Sequence, residues 1–372
     1  MSQDQNLLQA LKYKWPVMGH GKQLAELEAD IEQNRLSHAY LFIGPNKIGK
    51  ALIARTFAGI LQCPNHFCRD CPVCHQIEKK QHIDTMEIQD IGESLKIEEM
   101  RELLPHLSTT TSSRHKIVIF QNIERATPDA ANAFLKHLEE PVPGVIFILT
   151  TAERRSLLDT ILSRSRIVHF HPLAESTILE YLKAEHPHFD PKLLEMMAGF
   201  SMGKSGRAIE FFNDPDLFRS YQEMHQQVLR FFEGLPLVDR MLYVENLIKT
   251  PESIPIFLEL CATVARRILL KKVKNPPEKV SSDCNLPISA ARRSSPLDVS
   301  SSDTHSELFA SFAQNETNFV TKHTSQAGSN GSQIPYSFEQ LFDILTLLNH
   351  AEADLEHNVN ARLVLENLVI HF

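Results

Sequence analysis

The chain has 372 residues, enough for two or three domains that each bury a core of their own. A formal net charge of −8 excludes a large DNA-coating surface, and 42% hydrophobic with 23% charged residues is an ordinary globular composition. The apolar runs at 39–43 and 145–149 are far shorter than the roughly 20 residues that cross a bilayer, and the first residues lack a secretory signal pattern. We therefore expect a cytoplasmic protein with no membrane contact and limited contact with nucleic acid.

The first part of the chain alternates short β-rich runs with helical segments. Strands are predicted at 38–43, 85–88, 115–120, 145–151 and 166–171. Helices are predicted between them at 50–62, 94–107, 128–140 and 154–164. Strands that are apolar along their whole length and alternate with helices are typical of a parallel sheet with helices on both faces. Residues 1–172 are therefore predicted to form an α/β domain of that kind.

Beyond the first domain the strand signal ends and helical periodicity takes over. A small helical domain is predicted at 173–234 and an all-α domain at 235–372, where apolar residues recur every three or four positions. A Ser-rich stretch at 275–335 without sustained periodicity indicates a flexible insertion, with one transient helix near 305–313. The basic stretch at 265–274 is typical of the solvated end of an amphipathic helix, and contact with DNA or a partner is the alternative.

The stretch GPNKIGKA follows the first strand and opens a predicted helix. Gly44, Gly49 and Lys50 match a phosphate-binding loop, in which the glycines permit a tight turn and the lysine reaches the β- and γ-phosphates. Ala51 stands where the motif has a Ser or Thr hydroxyl that coordinates Mg²⁺. The alternative interpretation is a strand-to-helix turn with chance glycines.

The strand at 115–120 is followed by two amides where a phosphate-loop ATPase has carboxylates. Gln121 stands in place of the aspartate that supports Mg²⁺, and Asn122 in place of the glutamate that orients the attacking water. With Ala51, three groups are lost from one metal-and-water site. The sequence therefore predicts no ATP hydrolysis, and the glycines and Lys50 leave at most weak binding of ATP or ADP.

Four cysteines lie close together, at Cys63, Cys68, Cys71 and Cys74. Thiolates at this spacing can surround one Zn²⁺ in a tetrahedral shell that leaves no position for a catalytic water. A structural zinc site is therefore expected within an insertion at 63–74. Free thiols or an adventitious disulfide are the alternatives.

Several stretches resemble the bacterial clamp-loader AAA+ ATPase family. They are RLSHAYLFIGP at 35–45, the four-cysteine insertion, NAFLKHLEEP at 132–141 and TILSRSR at 160–166, with a weaker similarity in DLEHNVNARLVLENL at 354–368. The resemblance covers most of residues 15–215 and is strongest to the type of subunit that does not itself hydrolyse ATP. It implies an AAA+ P-loop domain, a small helical lid and an all-α collar that assembles with other subunits.

The resemblance also implies partners and a role. The family's clamp loader uses gamma/tau motor subunits, with a delta subunit, to open the sliding clamp and place it on primed DNA. Its Ser-Arg-Cys motif matches Ser163, Arg164 and Ser165, so Arg164 is the candidate arginine finger, acting in trans on ATP bound by a neighbouring subunit. An ion pair at a helix end is the alternative role for Arg164.

Two alternative functions remain at this point. One is an active motor of gamma/tau type, in which Glu124 or Asp129 would have to replace the missing carboxylates. The other is an AAA+-like adaptor outside replication, stabilised by zinc.

Two positions depart from the family's pattern. The family more often has a longer gap after its first cysteine, which sets Cys63 apart from the other three. Motor subunits carry a nucleotide-sensing arginine in the lid, where the preferred alignment places Gly206, and Arg207 takes that position only after a shift of one residue. We therefore do not expect the lid of this chain to sense nucleotide.

Overall fold

The computed structural model describes residues 7–8, 10–88, 107, 113–155, 157–274, 336–356 and 359–372. These residues divide into two compact units, Met1–Asn213 and Asp214–Phe372. The helix predicted at 94–107, except for its last residue, and the Ser-rich insertion with its transient helix lie outside the described residues. Within the described part of the chain, no helix is long and apolar enough to cross a membrane.

The first unit is built on a five-stranded parallel sheet. Its strands are β1 (Ala39–Ile43), β2 (Thr85–Ile88), β3 (Lys116–Phe120), β4 (Val145–Thr151) and β5 (Arg166–His169). They lie in the order β2-β3-β4-β1-β5, and every neighbouring pair is parallel. The carboxyl ends of β3, β4 and β1 are therefore side by side, and the loops that follow them meet at one edge of the sheet.

Helices cover both faces of this sheet. They are α1 (Gly21–Glu32), α2 (Lys50–Gln62), α3 (Pro72–Glu78), α4 (Pro128–Glu139) and α5 (Asp159–Arg164). Tyr40 and Phe42 of β1 belong to a buried cluster with residues of α1 and α2, whereas Leu41 belongs to a cluster with residues of α4 and α5. Alternate side chains of a strand point to opposite faces, so a strand covered on both sides is apolar throughout. The predicted α/β class is confirmed.

The rest of the described chain is helical, as predicted. In the first unit, α6 (Glu175–Glu185), α7 (Pro191–Phe200) and α8 (Ser205–Asn213) follow the sheet. The second unit contains α9 (Pro215–Phe232), α10 (Leu237–Ile248), α11 (Ile254–Lys274), α12 (Phe338–Glu356) and α13 (Ala361–Ile370). Its core includes the ring of Phe231, whose centroid lies 5.7 Å from that of Phe257 and 5.8 Å from that of Phe372. The division into three domains at residues 172 and 234 stays a prediction.

Candidate functional site

The phosphate-loop residues lie between β1 and α2, at the edge where the strands end. Gly49 precedes α2 with a φ of 98°, a left-handed conformation that favours glycine. Gly44 is needed for space, because a Cβ there would lie 2.4 Å from the carbonyl oxygen of Phe170. The path of the backbone thus requires both glycines, whether or not the loop binds a phosphate.

Lys50 is buried and turns back toward its own loop. Its Nζ donates hydrogen bonds to the carbonyl oxygens of Gly44, at 2.5 Å, and Pro45, at 2.9 Å. Burial lowers the pKa of Lys50 to about 8, although Glu124 acts in the opposite direction, and Lys204 lowers it further. In a working phosphate loop this ammonium faces the phosphates. Here it has hydrogen-bond partners without any ligand.

Lys50→Met is expected to stabilise the chain at pH 7 by about 1–2 kcal/mol. The buried ammonium costs on the order of 3 kcal/mol below pH 8, and losing its two hydrogen bonds offsets part of that gain. Because the folded pKa is about 8 and the reference value is 10.5, the unfolded chain holds more protons between these pH values. The stability of the unsubstituted chain therefore rises relative to the variant through that window.

Urea unfolding of both proteins from pH 7 to pH 10 measures this difference. The stability advantage of Lys50→Met should shrink steadily above pH 8. Lys22→Met, at an exposed lysine of α1, is the control and should show no such trend. A pH-independent difference for Lys50→Met would contradict the interpretation.

Gln121, directly after β3, donates a hydrogen bond to a buried ion pair. Its Nε2 donates to Oε1 of Glu87 at 2.5 Å. The same carboxylate accepts from Nε and Nη2 of Arg55, at 2.9 and 2.7 Å, and the Glu87 side chain is only 3% exposed. An aspartate at position 121 would place a second carboxylate against this buried one. The position therefore suits an amide and is poorly suited to a magnesium-binding aspartate.

The residues after Gln121 are held against the end of β4. Asn122 has a left-handed φ of 49°, and its N–H donates to Oγ1 of Thr150 at 3.0 Å. Glu124 lies in a 3₁₀ turn, Ile123–Arg125, and its Oε1 accepts from the N–H of Ala152 at 2.8 Å. The carboxylate that the motor alternative requires thus has a backbone partner.

Arg164, the last residue of α5, is half-exposed and paired. Its Nη2 lies 3.1 Å from Oε1 of Glu139, the last residue of α4, with side-chain exposures of 37% and 47%. Solvent-exposed pairs of this kind contribute little stability. Arg166 instead pairs with the buried carboxylate of Asp30, at 2.7 Å from Nη1 to Oδ1. The Arg164 guanidinium is therefore accessible to a partner and weakly held.

The four cysteines converge at the end of α2. The Sγ of Cys63 lies 3.9 Å from that of Cys68 and 3.7 Å from that of Cys71, and Cys71 lies 3.5 Å from Cys74. All four sulfur atoms lie within 4.8 Å of one another. A tetrahedral shell with metal–sulfur bonds of about 2.3 Å has sulfur–sulfur edges of about 3.8 Å. The cluster can therefore hold a metal ion.

The surroundings of Cys63 favour its thiolate form, whereas burial raises the pKa of the Cys74 thiol. Burial acts to raise the pKa of the Cys63 thiol, but hydrogen bonds from the backbone at Cys68 and Asn65 and from the side chains of Cys74 and Cys71 together lower it to about 7. Cys71 is the N-cap of α3, and its Sγ accepts from the N–H of Cys74 at 3.5 Å. Hydrogen bonds to ligand sulfurs orient them toward a metal.

A small apolar core supports the cysteine loop. The ring of Phe67 packs so close to α2 that a Cβ on Gly59 would lie 2.3 Å from it. Tyr13, Ile60 and Ile77 are buried in the same cluster with Cys63 and Cys74. The cysteine loop is thus packed onto α2 and the segment that precedes α1.

Three contacts at these sites are not evident from the sequence. They are the bond of Gln121 to Glu87, the pairing of Arg164 with Glu139, and the main-chain contact of Gly206 with the phosphate loop. Each joins residues that no motif connects. Of the three contacts, only that of Gly206 could have been suspected from the sequence, because motor subunits carry arginine at this position.

Comparison with known proteins shows that part of this chain is similar to subunits of DNA polymerase III. A family model described as "DNA polymerase III, delta subunit" matches residues 19–174. The tau/gamma subunit of DNA polymerase III from Haemophilus influenzae is 34% identical over 204 residues, covering 50% of this chain and 30% of that protein. The delta' subunit from Bacillus subtilis is 31% identical over 210 residues, covering 55% of this chain and 61% of that protein.

The matched regions are partial. The alignments span 30 to 61% of the length of these two curated relatives. Among solved structures, a gamma subunit-related protein from Thermotoga maritima is 19% identical, with 93% of this chain and 98% of that chain covered and a TM-score of 0.36. The family model and the curated relatives, together with the parallel sheet and its phosphate loop, support a member of the clamp-loader AAA+ family.

Proposed function

We propose that this chain is a non-hydrolysing, delta-prime-type subunit of a DNA polymerase III clamp loader. The observation that carries the proposal concerns the positions where an ATPase of this type binds Mg²⁺ and orients water. In this chain they hold residues that cannot bind the metal or that make structural contacts. Ala51 has no side-chain oxygen to coordinate Mg²⁺, and the Gln121 amide is hydrogen-bonded to the buried side chain of Glu87. Hydrolysis of ATP by this family's mechanism needs oxygen ligands for Mg²⁺ and a group that orients water. The chain lacks both at these places.

The rival function is an active motor of gamma/tau type. The curated relatives include both tau/gamma and delta' subunits, so the choice depends on the site. A motor would need Glu124 or Asp129 to bind the metal. Glu124 accepts a hydrogen bond from Ala152, and Asp129 is an exposed residue in the first turn of α4. These placements favour the non-hydrolysing role.

The proposed partners are the gamma/tau and delta subunits, the sliding clamp and primed DNA. Arg164 is proposed to act in trans, by stabilising charge on the γ-phosphate of ATP held by a neighbouring motor subunit. Its exposed pairing with Glu139 supports this role, because an exposed pair is easily exchanged for a phosphate. The four cysteines are proposed to bind a structural zinc ion, since they are four sulfur ligands in a closed shell.

The isolated chain is expected to show no ATPase activity above background. The measurement is phosphate release at saturating MgATP, with a gamma/tau subunit as the positive control. Mixed with gamma/tau and delta subunits, the chain should co-purify with them and raise their ATPase rate when the clamp and primed DNA are added. ATP hydrolysis by the isolated chain at the rate of a motor subunit would contradict the proposal. Separate elution of the chain and those subunits after they have been mixed would contradict it as well.

A further inference from the structure

The first turn of α8 is hydrogen-bonded to the phosphate loop. The N–H of Gly206 donates to the carbonyl oxygen of Lys47 at 2.7 Å, and Oγ of the buried Ser205 donates to the carbonyl oxygen of Ile48 at 3.0 Å. Further along α8, Oε1 of Glu210 lies 2.5 Å from Nζ of Lys47. Loop and helix are therefore joined by two backbone carbonyls and one ion pair.

Gly206 is the residue that allows this close approach. A Cβ at this position would lie 2.7 Å from the carbonyl oxygen of Lys47 and 3.2 Å from its carbonyl carbon. Both distances are well below the separation of non-bonded atoms in favourable contact. Glycine is required at this position because a Cβ would clash with the backbone of Lys47. An arginine at position 206 is therefore incompatible with the hydrogen bond to Lys47.

The segment before α8 is fixed as well. Gly203 has a left-handed φ of 78°, and its carbonyl oxygen accepts from the N–H of Leu173 at 2.8 Å. A Cβ on Gly203 would lie 2.6 Å from the carbonyl oxygen of Leu173, in the segment that leads from β5 to α6. The start of α8 is thus held both by the phosphate loop and by the connection to the sheet.

We propose that Gly206 and Ser205 hold α8 against the phosphate loop whether or not a nucleotide is present. Gly206 is the decisive residue, because only glycine allows the helix to approach the loop so closely. A ligand shifts an equilibrium only when it binds two arrangements with different affinity. Here the N–H of Gly206 and the hydroxyl of Ser205 supply the contact between helix and loop, and the ammonium of Lys50 is already bound by Gly44 and Pro45. The position of α8 is therefore independent of ATP and ADP.

Hydrogen–deuterium exchange with Gly206→Ala tests the proposal. Glycine to alanine in a helix ordinarily raises stability, whereas here we expect the melting temperature to fall by several degrees. Residues 44–50 and 205–210 should exchange about tenfold faster, and both segments should change together. In the unsubstituted chain, millimolar MgATP or MgADP should leave the exchange of residues 205–210 unchanged.

Ser205→Ala is a second variant that adds no bulk. It removes the hydrogen bond to Ile48 and should accelerate exchange in the same two segments to a smaller extent. Ser176→Ala, at an exposed serine of α6, is the matched control and should leave both segments unchanged. The proposal is overturned if Gly206→Ala raises the melting temperature or if Ser205→Ala leaves residues 44–50 unchanged. It is also overturned if MgATP slows exchange of residues 205–210 in the unsubstituted chain. The proposal rests on contacts within the first unit and does not depend on the clamp-loader function.

Discussion

Substitution of Cys74 by serine is expected to abolish zinc binding and to lower the stability of the first unit by about 3 kcal/mol or more. Zinc binding contributes on the order of 10 kcal/mol to the folding of zinc-finger peptides. The first unit also has a sheet core of its own, so only part of that free energy should appear in its global unfolding. Cys74 is fully buried, and serine is nearly isosteric with cysteine. The loss should therefore come from the metal and not from a cavity.

Zinc content and thermal unfolding, each measured with and without a chelator, test this expectation. The unsubstituted chain should carry about one zinc ion per molecule, which four sulfurs can bind in one closed shell. Chelation should lower its melting temperature by about 5 °C or more. It should have no further effect on Cys74→Ser.

Cys261→Ser is the matched control for Cys74→Ser. Cys261 is also fully buried but lies outside the cysteine cluster. This variant should keep its zinc and respond to the chelator as the unsubstituted chain does. A chain that is purified under reducing conditions without metal and is insensitive to chelator would refute the zinc site.

If the proposed function holds, substitution of Arg164 by alanine should remove most of the stimulation that we propose this chain gives to motor subunits. An arginine finger accelerates hydrolysis by about 10³- to 10⁵-fold at the site it contacts. One such finger serves one neighbouring site, so the assembled complex should retain the activity of its other sites. The clamp- and DNA-dependent ATPase rate should therefore fall severalfold without reaching zero.

Glu139→Gln separates the finger role from the ion-pair role. This variant removes the charge partner of Arg164 and leaves the arginine in place. If the guanidinium acts in trans, Glu139→Gln should preserve the ATPase rate while Arg164→Ala lowers it. If the pair only stabilises the ends of α4 and α5, the two variants should behave alike. Because the pair is exposed, neither variant should change the melting temperature by more than about 2 °C.

The sheet was predictable because its central strands are buried on both faces. β4, Val145–Thr151, has the predicted bounds, and β1 and β3 begin one residue later than predicted. β5 ends at His169, two residues early, although the N–H of Phe170 still donates to the carbonyl oxygen of Ile43 at 2.7 Å. Burial on both faces leaves an apolar run that sequence patterns detect.

The helices were less predictable where polar residues are buried or helices are short. In α1, the buried Glu28 interrupts the apolar pattern, because its carboxylate accepts hydrogen bonds from the N–H of Tyr13 and Nε1 of Trp15, both at 2.9 Å. α5 begins at Asp159, five residues later than predicted at residue 154, because Leu158 is extended, with ψ 137°. Neither feature can be inferred from periodicity alone.

The absence of the metal- and water-binding residues from the candidate site was predictable from the sequence. The contacts that the residues in their place make were not. Ala51, Gln121 and Asn122 are visible in any alignment to the phosphate-loop pattern. The bond from Gln121 to Glu87 joins residues 34 positions apart, and the contact of Ser205 with Ile48 spans 157 positions. Such contacts depend on how the strands are ordered and where α8 packs, which no local motif specifies.

Helix α2 connects the phosphate loop to the cysteine cluster, so a spectroscopic probe at one site lies at a fixed distance from the other. This helix begins at Lys50 and ends next to Cys63, and its 13 residues correspond to about 20 Å. Cobalt(II) also binds tetrahedral sulfur sites and is paramagnetic. Cobalt substituted at the four thiolates would thus be a fixed magnetic reference about 20 Å from the phosphate loop. Nuclear resonances of an added nucleotide would then show directly whether it occupies that loop.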